Sequence, residues 1–186
     1  MIDKLREATK ELHENIEKKN LAYLIINHKI EIDEYKLLLL QNYVAYAITE
    51  RQISNYVDIK KPLKSELLLE DLSALNINED VIQRNILKFE NLFTLNNTIE
   101  SLGAKYVVDG SALGGVFIAK NIPLCKNLEE LPKPIFFSGD RDQVKQWNSF
   151  SKTLKKDYSL EEESLAINKA KETFIFFGKI FSEVSL

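Results

Sequence analysis

An all-α fold is predicted by three observations. Apolar residues recur at steps of three and four along nearly the whole chain, the signature of amphipathic helices. Glycine and proline are scarce, 6 and 4 in 186 residues, which argues against a turn-rich β protein. The length is that of one domain whose core needs no staples. The reading is a single-domain, multi-helix bundle over residues 1–186.

The elements follow in order. Ile2, Leu5, Thr9, Leu12 and Ile16 form one apolar stripe of a first helix. A second helix is expected from about Asp33, as N-cap with Ile32 as its hydrophobic staple, to about Tyr56. Pro62 interrupts the chain before a shorter helix near Leu63–Leu75. Asn78 is placed to cap the next, which carries Val81, Ile82, Ile86, Phe89 and Phe93. A long helix is expected from about Asn97 to Lys120. Residues 121–139 hold three prolines and no clear period, so a folded-back surface segment is expected there. Helix resumes near Asp140 and runs to about Lys156; Trp147, Phe150 and Leu154 at steps of three and four read as core. Ser159 and Glu162 make a capping-box pattern for the last helix, which carries Leu165, Ala166, Lys169, Ala170, Phe174, Phe177, Ile180 and Phe181.

Charge and composition exclude several function classes. A net charge of −3, from 25 basic and 28 acidic residues, gives no global electrostatic case for nucleic acid or an anionic membrane. One cysteine, Cys125, excludes an internal disulfide or a Cys-rich metal cluster. The charged N-terminal stretch lacks a signal-peptide apolar block, and runs such as Leu37–Leu40 and Phe174–Phe177 are too short to span a bilayer. A cytoplasmic protein with no membrane partner is the expectation.

The first helix carries a second stripe. Arg6, Lys10, His13 and Glu17 are spaced by 4, 3 and 4, so they share a face. A neutral imidazole is a good axial ligand for haem iron. Such a histidine usually donates its other ring N–H to a carboxylate, and Glu17 lies one turn away. Arg6 and Lys10 lie on the other side, where two anionic groups at the edge of a flat ligand would meet them. Read alone, the stripe is more often that of a solvated helix face. His28, in the polar break Asn27–Lys29, reads as a surface residue.

Four of the six glycines fall at 103, 110, 114 and 115. Each costs a helix about 0.5–1 kcal/mol relative to alanine, so four together need a reason. Gly103, Gly110 and Gly114 share a face without side chains. That face suits a closely packed neighbouring helix or a flat ligand against the backbone, and it lets the helix kink. The glycine order fits no phosphate-binding loop. Glu161–Glu163 read as a solvated helix cap favourable to the dipole, and Lys152, Lys155 and Lys156 as a small basic cluster. Two histidines cannot supply a di-iron bundle.

Taken together, the two features resemble a known family. Leu5-Arg6-x-Ala8-Thr9-x-x-x-His13-x-x-x-Glu17 resembles the N-terminal motif of the haem oxygenases. Leu102-Gly103-x-x-Tyr106-Val107-x-Asp109-Gly110-Ser111-x-Leu113-Gly114-Gly115 is similar to the distal glycine helix of the bacterial subgroup, especially members found with bilin-binding photoreceptors. Lys169-Ala170-Lys171-x-x-Phe174 and the Phe177–Phe181 region match in order and place. The resemblance implies that His13 ligates the iron and Glu17 orients it. It implies that Gly110, Gly114 and Gly115 let the distal helix kink over the haem and leave room for dioxygen. Arg6 and Lys10, with Lys152 by a gapped match, would approach the propionates. Ser111 stands where many members carry a proton-delivering aspartate, and Asp109 precedes the glycine instead; the groups that replace that aspartate are not apparent.

The implied activity is oxidative opening of haem to biliverdin, carbon monoxide and ferrous iron. It uses O2 and external electrons from a donor protein such as ferredoxin or a reductase, and a bilin-binding photoreceptor is a candidate downstream partner. Haem is both substrate and cofactor. Two readings from other classes compete: a non-catalytic haem carrier or sensor with the same fold, and a helical protein-interaction module.

Overall fold

A computed structural model describes residues 1–139 and 141–186. Among the described residues the regular structure is helical throughout, with no strand. The α-helices are α1 (Ile2–Lys19), α2 (Ala22–Ile26), α3 (Ile32–Ser54), α4 (Lys64–Ala74), α5 (Glu79–Phe89), α6 (Thr98–Gly110), α7 (Ala112–Asn121), α8 (Asp142–Thr153) and α9 (Leu160–Glu183).

Local chemistry sets most helix starts. The Asn78 side chain accepts the Asp80 N–H, and the Asn97 side chain that of Glu100. Ser159 and Glu162 exchange bonds as a full capping box. The start of α3 differs from expectation. It begins one residue before Asp33, and the Glu34 carboxylate accepts the Glu31 N–H, so Glu31 holds the cap position. Ile32 is the first residue of the helix, not the residue before its cap, and is 39% exposed. The short α2 was not expected at all. The expected helix start at Asp140 lies outside the described residues; α8 begins at Asp142.

The expected long helix over 97–120 is two helices. Ser111 divides α6 from α7 while keeping near-helical angles, φ −62° and ψ −18°. The physical cause is competition for one carbonyl. A continued α-helix would offer Val108 O to the Ala112 N–H. Here Ser111 Oγ and Lys64 Nζ both donate to Val108 O, at 2.8 and 2.7 Å. Among the described residues Thr98–Leu124 is long and apolar enough to cross a membrane by length and composition alone, a property that buried core helices share. In the fold that segment breaks at Ser111, and its α6 half packs on α9.

The core is two clusters threaded by α9. One joins α3, α4, α5 and the C-terminal half of α9, with Leu39, Ile48, Leu72, Phe89 and Ile180 buried. The other joins α1, α6, α8 and the N-terminal half of α9 through Leu5, Leu102, Phe150, Leu154 and Phe174. Each fully buried Leu or Phe contributes about 1.5–3 kcal/mol. Polar ties add register. Lys4 of α1 pairs with Glu163 of α9, which corrects the reading of Glu163 as a solvated cap residue: it is 9% exposed. Asp71 of α4 accepts the N–H groups of Ile135 and Phe136, pinning the proline-rich segment back on the bundle as expected.

Candidate functional site

The polar stripe of α1 stands at the surface beside the second cluster. Ile2, Leu5 and Thr9 are buried, while Arg6, Lys10, His13 and Glu17 are exposed. The His13 ring meets Phe174 of α9 edge to face, with centroids 5.7 Å apart and planes at 82°. Its Nδ1 lies 3.6 Å from Glu17 Oε1. That is ion-pair reach, longer than a hydrogen bond. A proton on Nδ1 would face the carboxylate and leave the Nε2 lone pair for a ligand. Arg6 Nη1 is 3.2 Å from Asp3 Oδ1, so it must leave that partner to serve a ligand. Lys152 is exposed near the end of α8, whose Leu154 carbonyl accepts the Ile2 N–H of α1. The basic end of α8 therefore abuts the end of α1 that carries Arg6. A hollow of about 570 Å³ at the other end of α1 is lined by Glu14, Glu17, Lys18 and Tyr23. Its two carboxylates make it a poor seat for propionates.

The glycines separate into two jobs. A Cβ at Gly103 would lie 2.1 Å from the Ala166 carbonyl oxygen. That glycine lets α6 and α9 approach, which settles its role as helix packing. At Gly110 a Cβ would meet only the Trp147 ring, at 3.8 Å. At Gly114 and Gly115 it would meet nothing within 4 Å. These two belong to α7, beyond the break, so the glycine face expected to run from Gly103 to Gly114 is not one surface. Beside Gly114 the large apolar side chains Leu113 and Phe117 are 55% and 53% exposed. The α7 face is thus open, bare at the backbone and flanked by apolar groups, as a flat apolar ligand requires.

Behind the break lies a buried polar group that sequence reasoning missed. Tyr46 Oη donates to Ser111 Oγ at 2.9 Å, and Lys64 Nζ donates to the same oxygen at 2.6 Å. Glu50 accepts from the backbone N–H groups of Lys64 and Ser65 and from Ser65 Oγ. Burial pushes the Tyr46 hydroxyl up to about 12 and raises the Glu50 carboxyl. Asp109 Oδ2 lies 2.8 Å from Lys105 Nζ, an ion contact without hydrogen-bond alignment. One signal was available in the sequence. Lys64 at the start of α4 and Glu50 near the end of α3 both oppose the helix-dipole preference, which marks charges serving another end.

His28 is exposed, as expected. It is nevertheless tied to α7, with Nε2 and Asn121 Oδ1 3.0 Å apart, and it takes a left-handed φ of 55°. Among the described residues no cluster of His, Cys, Asp and Glu could hold a metal ion unaided. The histidine geometry fits an iron brought in by a ring of its own.

An all-α bundle with a helix-borne histidine, a carboxylate beside it and an open glycine face is the class of fold that the resemblance to haem oxygenases implies. The comparisons agree with that class. The family model described as heme oxygenase matches residues 1–183, and the chain belongs to that family. It is an enzyme of that family. Heme oxygenase-1 from the cyanobacterium Synechocystis, solved in complex with heme, superposes with a TM-score of 0.72 at 16% identity, covering 98% of this chain and 91% of that one. Heme oxygenase from Leptospira interrogans gives 0.69 at 22% identity, covering 97% and 98%. At these identities the likeness establishes the fold. No curated protein matched the sequence.

Proposed function

We propose that the chain binds one haem between α1 and the α7 glycine face, through His13, and opens it to biliverdin, carbon monoxide and ferrous iron. The observation that carries this reading is the pairing of His13 beside Glu17 with the empty, apolar-flanked backbone at Gly114 and Gly115. Haem supplies the iron and the ring carbons on which O2 chemistry takes place. The rest belongs to the chain. Glu17 accepts a hydrogen bond from the Nδ1 N–H and so raises the basicity of Nε2. Phe174 holds the imidazole ring edge-on. Arg6, Lys10 and Lys152 receive the acidic edge of the substrate. Gly110, Gly114 and Gly115 keep the opposite face free of side chains, so that a small gas has room near the ring. Ser111 is the hydroxyl nearest in sequence to that face.

Electrons come from outside, from a donor protein such as ferredoxin or a reductase. The bilin passes onward, with a bilin-binding photoreceptor as one recipient. Haem titration of wild type and His13→Ala tests the site. Wild type is expected to saturate at one haem with a histidine-ligated ferrous–CO spectrum, and the variant to lose that spectrum until imidazole is added. A variant that keeps it without imidazole overturns the assignment of His13.

A further inference from the structure

A buried lysine stands behind the break between α6 and α7. Lys64 opens α4 and is 7% exposed. A buried ammonium is costly unless it is hydrogen-bonded and compensated. Its Nζ donates to Val108 O and to Ser111 Oγ, and it sits 5.1 Å from the centre of the Tyr46 ring. The charged and titratable groups facing it are Glu50 and Tyr46 from α3, and Asp109 and Lys105 from α6. Among the described residues none of these carboxylates forms a salt bridge with Nζ. The cation is held instead against the C-terminal carbonyl end of α6, where the helix dipole favours positive charge. The Glu50 carboxylate fixes the other end of the arrangement by binding the first N–H groups of α4.

Counting hydrogen bonds shows what this does to Ser111. Its oxygen accepts from Lys64 and Tyr46, and its own O–H donates to Val108 O. That is a hydroxyl's full complement. A serine in this state turns its O–H elsewhere only by abandoning a buried carbonyl, which ordinarily costs about 1–3 kcal/mol. Here the carbonyl keeps Lys64 as a second donor. The other two directions of the Ser111 O–H face the Lys64 and Tyr46 donors, so the proton stays on Val108 O and the serine is locked in place.

We propose that Lys64 is a positioning residue for the haem reaction: it anchors the α6–α7 break by fixing Ser111 and the Val108 carbonyl, and places a positive charge behind that break. The proposal rests on the haem reading above. Burial outweighs the attraction of Asp109 and Glu50 and lowers the ammonium to about 8, so it is charged at neutral pH.

Two measurements test it. The first uses apo protein labelled with ¹³C at lysine. The Lys64 signal, assigned by its loss in Lys64→Arg, is expected to titrate well below the other lysines and to move in Ser111→Ala. An ordinary lysine midpoint overturns the proposal. The second is the acid–alkaline midpoint of the ferric haem complex, followed by absorbance. A unit charge within about 10 Å changes such a midpoint by about one pH unit. Lys64→Met is expected to raise it by about that much, Lys64→Arg to return it most of the way, and Ser111→Ala to raise it by less. A folded Lys64→Met protein with the wild-type midpoint overturns the proposal. If Lys64→Met does not fold, an unchanged midpoint in Ser111→Ala does so. Failure of the haem reading is seen separately, as a His13→Ala protein whose ferrous–CO spectrum is unaltered.

Discussion

At the scale of single residues the site depends on small distances. His13 and Glu17 are 3.6 Å apart, so their bond must close when a ligand draws on Nε2. Glu17→Gln is expected to keep haem bound while lowering affinity or turnover by about 10–100-fold, with a lower iron–histidine stretching frequency. Unchanged turnover and frequency would leave Glu17 a solvated residue. Arg6 is 69% exposed and engaged with Asp3. Exposed pairs contribute about 0–1 kcal/mol each, so neutralising Arg6 and Lys10 together should weaken haem binding by about thirtyfold or less. Isothermal haem titration reads that change, and the ratio of biliverdin isomers reports whether the ring sits differently. His13 was legible because its partner lies one turn away on the same helix. Lys64 was not, because its contact with Ser111 spans 47 positions.

At the scale of helices the glycines separate packing from function. Gly103→Ala drives a methyl into the Ala166 carbonyl, a backbone atom that cannot turn aside. Overpacking of this kind costs about 1–3 kcal/mol, and the apo protein should melt correspondingly earlier. Gly114→Ala meets nothing and adds helix propensity of up to about 1 kcal/mol. Its apo protein should melt at or above the wild-type temperature while biliverdin formation slows. Early melting with normal turnover would mean that Gly114 serves packing instead. Three helix starts were legible because Asn78, Asn97 and Ser159 each cap within three residues of themselves. The five residues of α2 are too few to show a period, and the start of α3 turned on the reach of Glu34 back to Glu31. The position of the break at Ser111 was hidden for a different reason: a side chain from another helix sets it.

At the scale of the molecule, α9 carries both clusters and so links the helix of His13 to the helices around the break. The buried network should appear in the stability of the apo protein. Lys64 is lowered from 10.5 to about 8 on folding. Between those values the unfolded chain binds the proton and the folded chain does not, so stability rises with pH through that window. The gain is on the order of 3 kcal/mol, present above the unfolded value and lost as pH falls through 8. Tyr46, raised from 10 to about 12, acts oppositely, with stability falling across its own window. Urea unfolding from pH 8 to 10 should show stability rising more steeply with pH in wild type than in Lys64→Met, since burial raises the Cys125 thiol and pulls both downward; equal slopes would contradict the burial of the Lys64 amine. The most direct test of the whole account is a single turnover. Purified protein is loaded with one haem and exposed to O2 with a continuing excess of reductant to supply the electrons, in the presence of a ferrous chelator. The account predicts loss of the haem absorbance, one equivalent of iron captured, and biliverdin as the pigment. A complex with the histidine-ligated spectrum that only returns to its ferric state, with the ring intact, would make the protein a haem carrier.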